Sequence, residues 1–352
     1  MQILKFLTQG YSNKALLKPY LSVSKPSTLR ENIMQKYTTL FSSLLVTMVA
    51  YAQVTFESTI APGDMEILKT IDENFHGISA IEYLPGTGDW YLGGDRGHFF
   101  KFNNCSRIQD FTGKNLAAEF NTGYYYESIR YDAVNRIYYF SEEKESYTAV
   151  YRVRENLKSQ PSQLLQMTLP SENKGIEALA VTPSGALWIA PEAGWKNETA
   201  MEKDTIHFLR YKNPAPGTGI PDSERFKFPI MRFRAALKSD KPGGISEILA
   251  VDETHLLVLE RAYHNTTDQV RAFLWNVTVD EKNMELVKGT LAFDFGNMNN
   301  LCNIEGMCWG DADKKSLFII ADDNFYNDKK IPGTDRYEKP TLRSQMIVLR
   351  RK

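Results

Sequence analysis

The chain has 352 residues, a formal net charge of -1, 42% hydrophobic and 12% aromatic residues, enough apolar material for one large core or two ordinary ones. Balanced charge with no long basic run excludes the electrostatic footprint of a nucleic-acid binder. The 22 glycines and 15 prolines are too few for a low-complexity chain.

In chain order, the first readable feature begins at Met34. The stretch "MQKYTTLFSSLLVTMVAYAQ" has a short start with Lys36, an apolar run from Leu40 to Val49, and Ala50-Tyr51-Ala52 before Gln53. This is the pattern of a secretory signal peptide cleaved after Ala52, and its apolar run is too short to span a bilayer. Residues 34–52 are therefore expected to be removed, residues 1–33 to be a non-native upstream extension, and residues 53–352 to form a single exported domain, periplasmic or secreted, with no membrane span. Its three cysteines, Cys105, Cys302 and Cys308, allow at most one intrachain disulfide, and whether Cys302 meets Cys308 depends on how the segment between them bends. The five histidines form no HExxH or similar metal motif.

One formula then recurs: a glycine or aromatic, an aliphatic, a Ser or Glu, further strand-like residues, a turn, and an apolar strand ending in an acid. Its copies are "GISAIEYLPGTGDWYLGGDRG" from Gly77, "YESIRYDAVNRIYYFSEE" from Tyr126, "GIEALAVTPSGALWIAPE" from Gly175, "GISEILAVDETHLLVLER" from Gly244 and "NIEGMCWGDADKKSLFIIADDN" from Asn303. Turn formers at each midpoint predict a β-hairpin per copy. Pairs of strand-like runs lie between copies, such as "AVYRVR" with "LLQMTL" and "TIHFLRY" with "RFKFPIMRF". A hairpin plus two strands makes a four-stranded blade, and the spacing predicts an all-β propeller of five blades, with six as the alternative. After the fifth hairpin only "SQMIVLRR" remains, so "VTFESTI" or "MEILKTI" from the mature N-terminus is expected to close the ring.

In that architecture the equivalent positions of the copies, Ser79, Glu127, Glu177, Ser246 and Glu305, form a ring at the channel mouth. The hairpin ends Asp95, Glu142, Glu192, Glu260 and Asp322 form a second ring on the same face. Eight carboxylates need a positive answer, because two unit charges about 4 Å apart repel by roughly 4 kcal/mol at an effective dielectric near 20. Ca²⁺, which takes about 6 to 8 oxygen ligands, suits the inner ring of Glu and Ser, while Arg96 and Arg261, each directly following an outer acid, suit the outer one. The basic run "RFRAALKSDKPGG", Arg232 to Gly244, offers either a phosphate clamp or a solvated connection.

The phrases "GIEALAV…LWIAPE", "LLVLER" and "NIEGMCWG…ADDNF" resemble the secreted phytase-like propellers named for an esterase-like activity, over essentially all of residues 70–350. More distantly, the order Ser, Glu, Glu, Ser, Glu and the Asp95-Arg96 pair are similar to those of calcium-activated apyrase propellers. The resemblance implies hydrolysis of phosphate esters or other esters by calcium-assisted attack of water on a small-molecule substrate. Glu192 or Glu260 would then be general base, and Arg96 or Arg261 would hold developing negative charge. No GxSxG elbow supports a nucleophilic esterase. The alternative is a non-catalytic calcium-stabilised platform for a glycan, peptide or protein.

Overall fold

A computed structural model of the chain describes residues 56–58, 66–68, 71, 74–157, 159–169, 174–195, 205–214, 222–230, 244–264, 269–298, 301–323 and 344–351. The signal peptide, the upstream extension and the basic run before Gly244 lie outside the described residues. Residues 52–352 make one compact unit.

Two short N-terminal strands, β1 (Phe56–Ser58) and β2 (Glu66–Ile67), precede the first group of four: β3 (Ile78–Leu84), β4 (Asp89–Gly94), β5 (His98–Phe102) and β6 (Leu116–Asn121). The second group is β7 (Tyr126–Asp132), β8 (Ile137–Lys144), β9 (Tyr147–Arg154) and β10 (Ser162–Thr168). The third is β11 (Ile176–Val181), β12 (Leu187–Pro191), β13 (Thr205–Tyr211) and β14 (Glu224–Pro229). The fourth is β15 (Gly244–Ala250), β16 (His255–His264), β17 (Gln269–Asp280) and β18 (Glu285–Asp294). The last is β19 (Asn303–Trp309), β20 (Ser316–Asp322) and β21 (Gln345–Arg351). Within each group successive strands pair antiparallel, and β1 and β2 both pair with β21, so the N-terminal segment completes the last group as expected.

The first strands β3, β7, β11, β15 and β19 touch one another in a cycle, β19 returning to β3. This is a β-propeller, all-β among the described residues apart from two short 3-10 turns. The core is distributed rather than central, as five apolar layers, each between two neighbouring groups. The layer between the third and fourth groups, for example, stacks Trp188, Phe208, Phe226 and Phe228 against Ile248, Leu256 and Val258. Inner strands are covered on both faces, so burial runs on without alternation, as in fully buried β15, where even Ser246 and Glu247 are enclosed. Outer strands such as β10 and β14 are covered on one face and alternate.

The turn chemistry follows the sequence. Asp132 Oδ1 accepts from the Val134 and Asn135 amides at 2.9 and 3.0 Å, and Asp252 Oδ1 from Thr254 N at 2.8 Å. Gly185 closes the β11–β12 hairpin at φ +87°, a conformation that side chains disfavour. The three cysteines are buried and none is joined in a disulfide.

Candidate active site at the mouth of the propeller

The opening pair of every group carries the same irregularity. Pairing of the first strand with the second shifts between Ile78 and Ala80, Tyr126 and Ser128, Ile176 and Ala178, Ile245 and Glu247, and Ile304 and Met307. The residues in the shifts are Ser79, Glu127, Glu177, Ser246 and Glu305, with Gly306 beside the last. Each inner-ring residue predicted from the sequence thus occupies a β-bulge, a device that frees a residue from the ladder and re-aims it.

The bulges also set the outer register. Opposite the residue two before each bulge residue stand Asp95, Glu143, Glu192, Arg261 and Asp322: the Asp95, Glu143 and Glu192 amides donate to the Gly77, Tyr125 and Gly175 carbonyls, and Gly244 pairs with Arg261 and Asn303 with Asp322. In two groups this differs by one residue from the ring expected from the sequence. Glu142 and Glu260 pair with the residues beside the bulge and, by strand alternation, turn to the other face. There Glu142 accepts from Tyr147 Oη at 3.1 Å, and Glu260, fully buried, is 2.8 Å from Lys288 Nζ. The structure therefore does not bring Glu260 together with Glu192. It replaces it with Arg261 and adds Glu143, which the sequence reading passed over.

Arg261 is the internal cation of the mouth. Its Nη2 contacts both Glu305 oxygens, at 2.8 and 2.7 Å, and Asn303 Nδ2 donates to Glu305 Oε1 at 2.5 Å. Burial disfavours charge on Arg261, but Glu305, Glu192 and Glu177 outweigh it and hold the guanidinium charged. Lys174 pairs with Glu192, and Arg96, exposed at the rim, counteracts the burial of Asp95.

The cations do not balance the acids. Glu177, 6% exposed, is pushed well above the ordinary carboxylate range by burial and by Glu192, Glu143 and Glu305, against which Arg261 works. Glu127 keeps part of its surface open yet is also pushed well up, by burial and by Glu177, Glu143, Asp95 and Glu305. Burial raises Asp95 to about 7, with Glu305 and Asp323 adding to it, and burial with Glu192 raises Glu143 to about 7. Neither Glu127 nor Glu177 has a hydrogen-bond or ion-pair partner among the described residues, and the enclosed Ser246 Oγ has none either.

Glycine makes this crowding possible at two of the group starts. A Cβ on Gly175 would stand 2.3 Å from Glu143 Oε2, and one on Gly244 would stand 2.6 Å from Glu192 Oε1. Each outer acid thus leans over the first residue of the next group. At the junction of the last and first groups the same place is taken by Asp323, whose Oδ1 accepts from Gly77 N at 3.1 Å while Oδ2 is 2.6 Å from His76 Nδ1.

A cation-binding role can be tested on these donors. Among the described residues no three His, Cys, Asp or Glu side chains form a ready-made metal cluster. The donor chemistry nevertheless fits a hard cation: carboxylate and hydroxyl oxygens from Glu127, Glu177, Ser79 and Ser246, partnerless at the two Glu side chains and at Ser246, with water left to complete the shell. Glu305 is committed to Arg261 and would contribute only by sharing.

Fold and mouth together define a β-propeller with a buried acidic site at one end of its axis. The chain belongs to the phytase-like family described as "Esterase-like activity of phytase", whose sequence model matches residues 73–325. No protein of curated function matches the sequence. Among solved structures the chain is similar to a glucose dehydrogenase, at 11% identity over 80% of this chain and 98% of that one, with TM-score 0.43. It is also similar to the soluble aldose sugar dehydrogenase of Escherichia coli in its apo-form, at 10% identity over 84% and 99%, TM-score 0.43. The WD40 repeats of RRP9 match at 8% identity over 84% and 100%, TM-score 0.40.

Proposed function

We propose that this phytase-like propeller is an exported hydrolase of phosphate esters or related esters, acting with calcium at the mouth. The observation that carries the reading is the pair of partnerless carboxylates, Glu127 and Glu177, set among further acids with one internal arginine. Glu127, Glu177, Ser79 and Ser246, with Glu305 shared, would hold the ion. Bound there, calcium would supply the positive charge that lets an anionic ester approach an acidic face and would polarise a phosphoryl oxygen.

The chain's own residues supply the rest. Glu143 and Asp95, both raised to about 7, sit where a general acid or base works best near neutral pH, and Glu192 is the further candidate on the same rim. A carboxylate here takes the proton of the attacking water, and Arg261 or the exposed Arg96 receives the negative charge that grows on the ester oxygens. Glu260, paired with Lys288, is not part of the set proposed here.

A non-catalytic platform is the second reading, favoured by Arg261 taking both Glu305 oxygens. The two separate on turnover. The mature chain should hydrolyse p-nitrophenyl phosphate, a nucleoside diphosphate or an inositol phosphate with calcium, lose the activity in chelator, and lose it in Glu127→Gln/Glu177→Gln. Rates no higher than those of the double variant on every phosphate ester and on p-nitrophenyl acetate would remove the hydrolase reading.

A further inference from the structure

Behind the mouth lies a buried ion pair between Arg130 and Glu247, with Glu82 as a second, longer partner of Arg130 at 3.5 Å. Arg130 and Glu247 are 2% and 0% exposed, with Arg130 Nη2 2.7 Å from Glu247 Oε2. Arg130 Nη1 donates to Ile81 O at 3.3 Å and Ile129 O at 2.5 Å, and its Nη2 to Ile248 O and Met307 O, both at 3.0 Å. Glu247 Oε1 accepts from Leu179 N at 3.2 Å, Ile248 N at 2.9 Å and Ser128 Oγ at 3.1 Å. Two side chains thus reach the inner strand of every group: β3, β7, β11, β15 and β19.

The contacts fall just behind the bulges. Ile81 lies two residues after Ser79, Ser128 one after Glu127, Leu179 two after Glu177, Glu247 one after Ser246 and Met307 two after Glu305. A buried ion pair gains little stability over well-packed apolar side chains of similar volume, so stability alone does not account for this one. We propose that Arg130 and Glu247 are positioning residues: they pin the backbone behind all five bulges and so hold the mouth oxygens at one depth and spacing. Arginine suits the task because its planar fork addresses several carbonyls at once, which an ammonium cannot.

The test replaces the pair by apolar side chains, Arg130→Met with Glu247→Leu. Hydrogen exchange is followed in the peptides carrying Ser79, Glu127, Glu177, Ser246 and Glu305, beside calcium titration by calorimetry. The expected result is a folded protein in which all five peptides exchange about tenfold faster or more, with calcium Kd raised by about 10- to 100-fold. The calcium readout rests on the cation reading above, whereas the exchange readout does not. If the wild type takes up no calcium, the cation reading fails and exchange alone decides the positioning role. Wild-type exchange in the five peptides, or faster exchange confined to β7 and β15, overturns the proposal. Should the double variant not fold, Arg130→Lys decides by the same measurements: it retains charge, and the proposal requires that it lose protection at all five bulges.

Discussion

Stability against pH, with and without calcium, tests the electrostatics of the mouth. Glu143 is raised from its ordinary 4.5 to about 7 and Asp95 from 3.8 to about 7, burial being the larger cause in both. Between pH 4 and 7 the folded state binds protons that the unfolded chain has released, so stability falls as pH rises through this window and the full penalty is present by pH 8. For Glu143 alone the shift amounts to about 3 kcal/mol, or about 6 °C in Tm at roughly 2 °C per kcal/mol for a chain of this size. The assay is differential scanning calorimetry at pH 5, 6, 7 and 8, in chelator and in millimolar calcium. In chelator, Tm should fall by at least this amount from pH 5 to pH 8. Calcium bound as proposed, to ionised carboxylates of the folded state only, should remove most of the fall. Glu143→Gln, which does not titrate, should show a smaller fall than wild type in chelator. A chelated Tm that is flat or rises from pH 5 to pH 8 would refute the claim that the mouth crowds uncompensated carboxylates.

Arg261→Gln leaves Glu305 and Glu177 without their main counter-charge; it should cost about 3 to 5 kcal/mol in denaturant unfolding at pH 8 and less at pH 5. Glu260→Gln should lower Tm by stranding Lys288, while kcat/KM for the proposed hydrolysis by the folded protein stays within about twofold of wild type, whereas Glu143→Gln should reduce it by about 100-fold. A Gly175→Ala methyl would meet Glu143 Oε2 at 2.3 Å and Thr148 Oγ1 at 2.9 Å; it should destabilise by about 1 to 3 kcal/mol and weaken calcium binding, as read by melting and calorimetry.

The hairpins were legible because each carries its own evidence: aliphatic strands bounded by Pro183-Ser184-Gly185, Asp252-Glu253 or Asp311 to Lys314, where side chains close the turn locally. Inner-ring positions were legible because Ser79, Glu177, Ser246 and Glu305 each follow an isoleucine, and Glu127 follows Tyr126, at the same place before a strand-like run. The outer ring was legible in three groups and displaced by one residue in two. Hairpin length fixes register only if pairing is regular, and a bulge adds a residue that the sequence does not mark. Arg261 consequently read as a follower of Glu260, and Glu143, next to Glu142, drew no reading. Nothing in β7 or β15 distinguishes Arg130 and Glu247 from charges at a solvent face, because their partners come from strands 49 to 177 residues away and from chain neighbours alike.

The most direct test of the account is the initial rate of phosphate-ester hydrolysis against free calcium, set beside the calorimetric isotherm for the same protein. Calcium-assisted hydrolysis at the mouth requires one high-affinity calcium per chain, a rate that half-saturates at the Kd of that site, and loss of both in Glu127→Gln/Glu177→Gln. Hydrolysis that persists in chelator, or calcium binding that survives the double variant, would contradict it.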